Sequence, residues 1–177
     1  MNALKVILKK IQNFQGHDGT GLNADVWING INCMHVFDGA YGGEFEYTDN
    51  TYNNSKAEQV KANIKLMDNY INTLPEHTSE FGDKTFKFKV NRDIFINDLL
   101  IEQEHIKTQK KMQKQMQTCI LVGVPDADRY SYFNLKRSLS VLNRQQLQSY
   151  VANIKMKHCT NNTVILNTNL KELGITV

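Results

Sequence analysis

Proline is nearly absent from this chain. Pro75 and Pro125 are the only two in 177 residues, and tryptophan occurs once, as Trp27. Long apolar runs are missing too: nothing approaches the roughly 20 apolar residues a helix needs to cross a bilayer, so no membrane span is expected. Cysteine is sparse. Cys33, Cys119 and Cys159 are odd in number, far apart and without C-x-x-C spacing, which argues against a disulfide framework and against a zinc knuckle. Cys119, inside an apolar run, reads as a small buried hydrophobe. The opening residues Met1–Lys5 lack the apolar core of a secretory signal, with lysines recurring at 5, 9 and 10, so the expected compartment is the cytoplasm. Twenty asparagines beside so little proline point to an AT-rich coding sequence rather than to a chemistry.

Phosphate-loop signatures are also missing. The glycines at 39, 42 and 43 are not followed by Gly-Lys-Ser/Thr, and their G-x-x-G-G spacing is not that of a dinucleotide fingerprint. Net charge is a modest +3, which permits an anionic partner without demanding one. Neither a cofactor nor a metal is expected. His35 has no second ligand at close spacing, and Glu102 with His105 forms a single E-x-x-H where a di-iron bundle needs two.

What is present is a clear strand pair with a glycine loop behind it, from Ala24 to Tyr47. Asp25, Trp27 and Asn29 alternate with Val26 and Ile28, as in a half-buried strand. Asn29-Gly30 suits a tight primed turn, because both residues tolerate positive φ. Ile31 to Phe37 forms the return strand. The loop that follows, Asp38-Gly39-Ala40-Tyr41-Gly42-Gly43-Glu44, admits two readings. As a ligand loop it would offer backbone N–H groups to an anion, Tyr41 to a ring, and Asp38 and Glu44 to hydroxyls or a cation. As a plain connection it would only lead to a further strand at 44–48.

Around this hairpin the chain reads as strands first and helices later. Leu4 to Phe14 is a first strand. Ser55 and Glu58 form an S-x-x-E capping box, and Ala57, Val60, Ile64, Met67, Ile71 and Leu74 make one apolar helical stripe ending at Pro75. Glu76 to Asp83 is a loop, and Phe86, Phe88 and Val90 mark a strand with one wet face. Asn91 caps a second helix, whose apolar face starts at Phe95, Leu99 and Leu100 and continues through Ile101, His105, Met112 and Met116. Thr118 to Val124 is a strand buried on both faces. Arg129 to Arg137 alternates, and Asn143 caps a third helix with Leu147, Tyr150, Val151 and Ile154 on its inner face. Thr163 to Leu166 is a last strand, and a short helical turn ends at Gly174. The expected architecture is α+β: one domain over 1–177, a mainly antiparallel sheet packed with about three helices.

Three further places could carry function. The face Tyr130, Tyr132, Asn134, Lys136 offers rings to stack and a cation for an anion, or is a solvent face whose tyrosines pack across strands. The turn Asn167-Thr168-Asn169 offers helix caps, or free N–H groups to a ligand. Lys107, Lys110, Lys111 and Lys114 share one helix face and could follow a phosphate backbone, or form a solvated face. The units His77-Thr78-Ser79 and His158-Cys159-Thr160 are similar to the paired motifs of two-histidine phosphoesterases, whose histidines act as acid and base. Here they lack the apolar strand context of that family.

The segments D-V-W-I-N-G-I, D-G-A-Y-G-G, I-N-T-L-P and V-I-L-N-T-N-L-K-E-L-G-I together resemble uncharacterised small α+β proteins of Bacteroidota phages and mobile elements, over most of the chain. That resemblance implies a genomic setting and transfers no catalytic residues. The expected function is a non-enzymatic binding protein in a counter-defence role. It would sequester a small anionic ligand such as a signalling nucleotide, or bind a host protein, through Asp38, Tyr41, Gly42, Gly43 and Glu44 with Tyr130, Tyr132, Lys136, Asn167, Thr168 and Asn169. The alternatives are a two-histidine phosphoesterase and a nucleic-acid-binding accessory protein using the lysine stripe. Homodimerisation is compatible with each.

Overall fold

The computed structural model describes residues 4–176; the first three residues of the N-terminal stretch considered above lie outside it. The fold is α+β, with three helices and mainly antiparallel sheet. The chain forms two compact units, Met1–Ile101 and Glu102–Val177. The division falls inside one helix.

The first unit is built on a four-stranded antiparallel sheet in sequential order: β1 (Val6–Gln15), β2 (Thr20–Ile28), β3 (Ile31–Asp38) and β4 (Glu46–Asp49). Asn29 and Gly30 take φ of 50° and 83°, the left-handed pair that a two-residue primed turn requires. Alternation sends Leu22, Ala24, Val26 and Ile28 inward, with Met34 and Val36 opposite them. Asp25 points to the other face, where its carboxylate meets Lys10 Nζ at 2.9 Å and His35 Nδ1 at 3.2 Å. Helix α1 (Ala57–Ile71) lays Val60, Ile64, Met67 and Ile71 on the inner face. Buried Asn63 on the same stripe donates from Nδ2 to the Ile28 carbonyl and accepts from Asn29 Nδ2, tying helix to turn.

Two local expectations are corrected here. Ser55 and Glu58 do not form a capping box. The helix starts one residue later than that box needs: Lys56 occupies the cap, its amide donates to Asn54 Oδ1, and Glu58 pairs with Lys61 instead. Glu76–Asp83 is not a loop. His77–Phe81 (β5) pairs with Lys84–Phe88 (β6) in a hairpin whose turn places Gly82 at φ 60°. His-Thr-Ser-Glu has no apolar alternation to announce a strand, and no described side chain of the hairpin is buried: Phe86 is 50% and Phe88 39% exposed.

Helix α2 (Arg92–Gln115) is capped by Asn91, whose Oδ1 accepts from the Ile94 amide. Its apolar face is not continuous. Phe95 and Ile96 are buried at one end and Met112 near the other, while Ile101 between them is 64% exposed. Near its start, Asp93 accepts from the Tyr47 hydroxyl at 2.7 Å and the Phe45 amide at 3.2 Å, which fixes β4 in the first unit.

The second unit holds a three-stranded antiparallel sheet in the order β8 (Tyr130–Asn134), β7 (Cys119–Gly123), β9 (Val164–Ile165). The central strand β7 is wholly buried, as its unbroken apolar run predicts. Helix α3 (Arg144–His158) begins at Asn143, whose Oδ1 accepts from the Gln145 amide, and it buries Leu147 and Val151 beside Ile120, Leu139 and Leu170. No helix among the described residues is long and apolar enough to cross a membrane.

Candidate functional site

The sequence candidates divide between the units, and each is taken in its own surroundings. In the first unit, the Asp38 carboxylate is spent on its own turn: Oδ1 accepts from the Ala40 amide at 2.8 Å, with Ala40 at φ 55°. The Ala40 carbonyl then accepts from the Asp18 amide, anchoring the loop on the turn after β1. Tyr41 is 78% exposed, and Gly42, Gly43 and Glu44 are exposed beside it. A Cβ built on Gly42 or Gly43 would meet nothing within 4 Å, so these glycines serve a turn in open solvent rather than a close approach to a wall.

In the second unit, Asn167 is buried and structural. Its Oδ1 accepts from the Leu121 amide at 2.6 Å and its Nδ2 donates to the Cys119 carbonyl at 2.9 Å. The side chain thereby imitates a strand backbone and extends the β9 pairing along β7. It does not cap the 3-10 turn Thr168–Leu170 that follows it. Asn169 Nδ2 donates to the Met116 carbonyl and the Thr168 hydroxyl donates to Met116 Sδ, so this turn too is held by the fold.

The tyrosine face divides at the end of β8. Tyr130 is partly buried, its hydroxyl donating to Gln115 Oε1 at 2.7 Å, and burial pushes its pKa up, so it is a neutral wall. Tyr132 is 58% exposed. Lys136 does not continue this face. The strand ends at Asn134, whose Oδ1 accepts from the Lys136 amide, and Lys136 turns away at φ 57°.

The second unit carries clefts walled by Tyr130, Tyr132 and Lys136. One, of about 300 Å³, lies between α2 and β8: Thr108, Lys111 and Gln115 line it from the helix, and Arg129, Tyr130 and Tyr132 from the strand. Asp128 at its edge is held by His105 Nδ1 at 3.0 Å, while no described ion pair engages Lys111 or Arg129. The cleft therefore presents two cations with no ion pair among the described residues, a carboxylate already in contact with a histidine, and an exposed phenol ring. That set can hold a phosphate and stack a flat ring. A second cleft, of about 480 Å³, begins where β8 ends; Lys136, Arg137, Gln146 and Tyr150 are among its walls.

The lysine stripe joins this arrangement. Lys107, Lys110, Lys111 and Lys114 are all exposed, and Lys111 is also a wall of the α2–β8 cleft. The histidines of the two H-x-S/T units are each packed on an aromatic ring. His77 stacks on Phe88 with centroids 5.3 Å apart, and His158 lies 4.4 Å from Phe133. Among the described residues no cluster of His, Cys, Asp and Glu could hold a metal.

Sequence reasoning passed over Thr108, Lys111 as a cleft wall, Arg129 and Arg137, and it turned Tyr150 to the inner face of α3, where the structure leaves that ring 48% exposed. A signal for them was there. From Arg129 to Lys171 the chain has no Asp or Glu but seven Lys and Arg. Residues 102–177 hold eleven Lys and Arg against five Asp and Glu, a net +6, while residues 1–101 hold ten against thirteen, a net −3. The overall +3 conceals a segregation of charge by unit. Set against protein-family models, curated proteins and solved structures, the chain finds no match.

Proposed function

We propose that the second unit is a non-enzymatic capture module for a small phosphate-bearing ligand with a flat ring, for which a signalling nucleotide is the chemical fit. The observation that supports this reading is the α2–β8 cleft, where Lys111 and Arg129, in no ion pair among the described residues, stand beside the exposed ring of Tyr132. The net +6 of the surrounding unit raises the local concentration of anions and steers them inward. Arg129 suits bidentate contact with phosphate oxygens, and Gln115 and Thr108 suit polar edges or sugar hydroxyls. In a cytoplasmic phage or mobile-element setting, such capture would withdraw a host signal and so serve counter-defence.

Native mass spectrometry of the full chain with a panel of cyclic and linear nucleotides tests this. An intact nucleotide adduct is expected, lost in Tyr132→Ala and in Arg129→Gln and retained in Tyr41→Ala. An adduct indifferent to Tyr132 and Arg129, or none with any nucleotide, refutes the assignment. Release of the nucleotide as products would replace capture with hydrolysis.

A further inference from the structure

We infer that the α2–β8 cleft is also the first station of a longer track, crossing the end of β8, on which the second unit holds a single strand of nucleic acid; this rests on the reading of that cleft as a phosphate-and-ring site and extends it. Tyr132, a wall of the first cleft, and Asn134, a wall of the second, are two residues apart on β8 and share its exposed face, about 7 Å from each other. The first cleft therefore ends one alternate strand position from where the second begins. The second in turn shares Gln146 and Tyr150 with a third, of about 440 Å³, which runs along α3 past Ser149 to Asn153. Gln146, Tyr150 and Asn153 lie at i, i+4 and i+7, so one face of α3 carries the track onward.

The chemistry along this route repeats. Lys111 and Arg129 accompany Tyr132, then Lys136 and Arg137 accompany Tyr150. The second ring is 48% exposed. No described ion pair engages any of these four cations. Asp128, the one carboxylate among the walls of these three clefts, is already held by His105. Between and beyond the ring–cation groups the walls include the amides of Asn134, Gln146 and Asn153, which can donate to or accept from any base edge. Spaced aromatic rings with accompanying cations are what a strand with unstacked bases needs. A mononucleotide would use only the first group. A duplex offers no free base faces to Tyr132 or Tyr150, so the track selects single strands.

The test is fluorescence anisotropy of the full chain with labelled oligothymidylates of 2, 4, 8 and 12 nucleotides and a 12-base-pair duplex, at 50 and 200 mM KCl. Affinity is expected to rise with length up to about 8 nucleotides and to level off, single-strand site sizes being roughly 4–16 nucleotides. Four phosphate contacts give a slope of about −2.8 in log K against log salt, a loss of about 50-fold between the two salt conditions. Lys136→Gln with Arg137→Gln should weaken the 8-mer and flatten its slope by about 1.4, while leaving the 2-mer unchanged. Tyr150→Ala should weaken the 8-mer about tenfold without changing the slope. Length-independent binding, tighter binding of the duplex, or an 8-mer indifferent to all three substitutions overturns the inference. If mononucleotides bind through Tyr132 and length adds nothing, the strand fails and the capture reading stands; if nothing binds at all, both fail.

Discussion

Removing the Asn167 side chain offers the most direct check on how the second unit is held. The Asn167→Ala change strips two buried backbone groups of β7 of their partners at once: the Leu121 N–H, now 2.6 Å from Oδ1, and the Cys119 C=O, now 2.9 Å from Nδ2. Asn167 is 7% exposed and β7 is buried along its length, so water cannot replace these bonds without opening the sheet. Each stranded group costs about 1–3 kcal/mol, which puts the variant about 3 kcal/mol below the wild type. For a unit of this size that corresponds to a fall of roughly 15 °C in Tm.

The assay must look at the right unit. Trp27, the only tryptophan, lies in β2 of the first unit, so its fluorescence does not report on β7. Hydrogen exchange of the peptide covering β7 does. A loss of 3 kcal/mol lowers its protection about 100-fold, and urea denaturation followed through helical circular dichroism gives the free energy independently. Asn167→Asp sharpens the test. A carboxylate keeps an acceptor for Leu121 but cannot donate to Cys119, and its burial raises the folded-state pKa above the unfolded value of about 3.9. Its neutral form is then the one that suits the fold, so this variant should regain stability as pH falls through that raised value. Wild-type protection of β7 in Asn167→Ala, with a cost under about 1 kcal/mol, would refute the account of Asn167 as a surrogate strand residue.

Other consequences are as concrete. Gly30→Ala should cost about 1–2 kcal/mol in urea unfolding followed by Trp27 fluorescence; φ is 83° there and nothing crowds a Cβ within 4 Å, so the cost is backbone strain alone. Burial pushes the Asp25 carboxyl up, but hydrogen bonds and charge from Lys10 and His35 outweigh it and hold the group below its usual value. Its contribution is therefore complete above about pH 4 and is lost as pH falls through the folded value, so the urea midpoints of wild type and Asp25→Asn should differ at pH 6 and converge in acid. Arg92→Ala breaks a bidentate pair with Asp68 at 2.7 Å; both side chains are about one-third exposed, so screening limits the cost to about 1 kcal/mol in the same unfolding measurement.

Most of the architecture was legible because it rests on local periodicity. The inward set of β2, the stripe of α1 and the apolar run of β7 each announce their burial through spacing, and Asn29-Gly30 and Asn143 announce a turn and a cap through their chemistry. The misread places are those where exposure removes the signal. Among its described side chains the β5–β6 hairpin buries no face, and His-Thr-Ser-Glu carries no alternation to read. The middle of α2 leaves Ile101 in solvent, so its stripe breaks where a continuous one was expected. The cap of α1 was misplaced because a turn at Asn54, whose side chain takes the Lys56 amide, starts the helix one residue later than the S-x-x-E spacing implies.

The candidate site was legible in its chemistry but not in its grouping. Tyr130, Tyr132 and Lys136 were expected to act together because alternation places 130, 132, 134 and 136 on one face, and that holds only while the strand lasts. Once Asn134 captures the Lys136 amide, the chain turns and Lys136 goes with Arg137 and Tyr150 instead. Lys111 was expected to belong to a helix stripe, and it does, yet the pairing of β8 with β7 also brings Tyr132 to that helix face. Such neighbourhoods depend on contacts far apart in sequence, which no local period encodes. Charge segregation, by contrast, needs no contact to be read. A stretch of seven basic residues without an acid, in a unit whose remaining carboxylates include one already held by histidine, marks the basic half of this chain before any cleft is drawn. The clefts then say where on that half a phosphate and a ring can be met together.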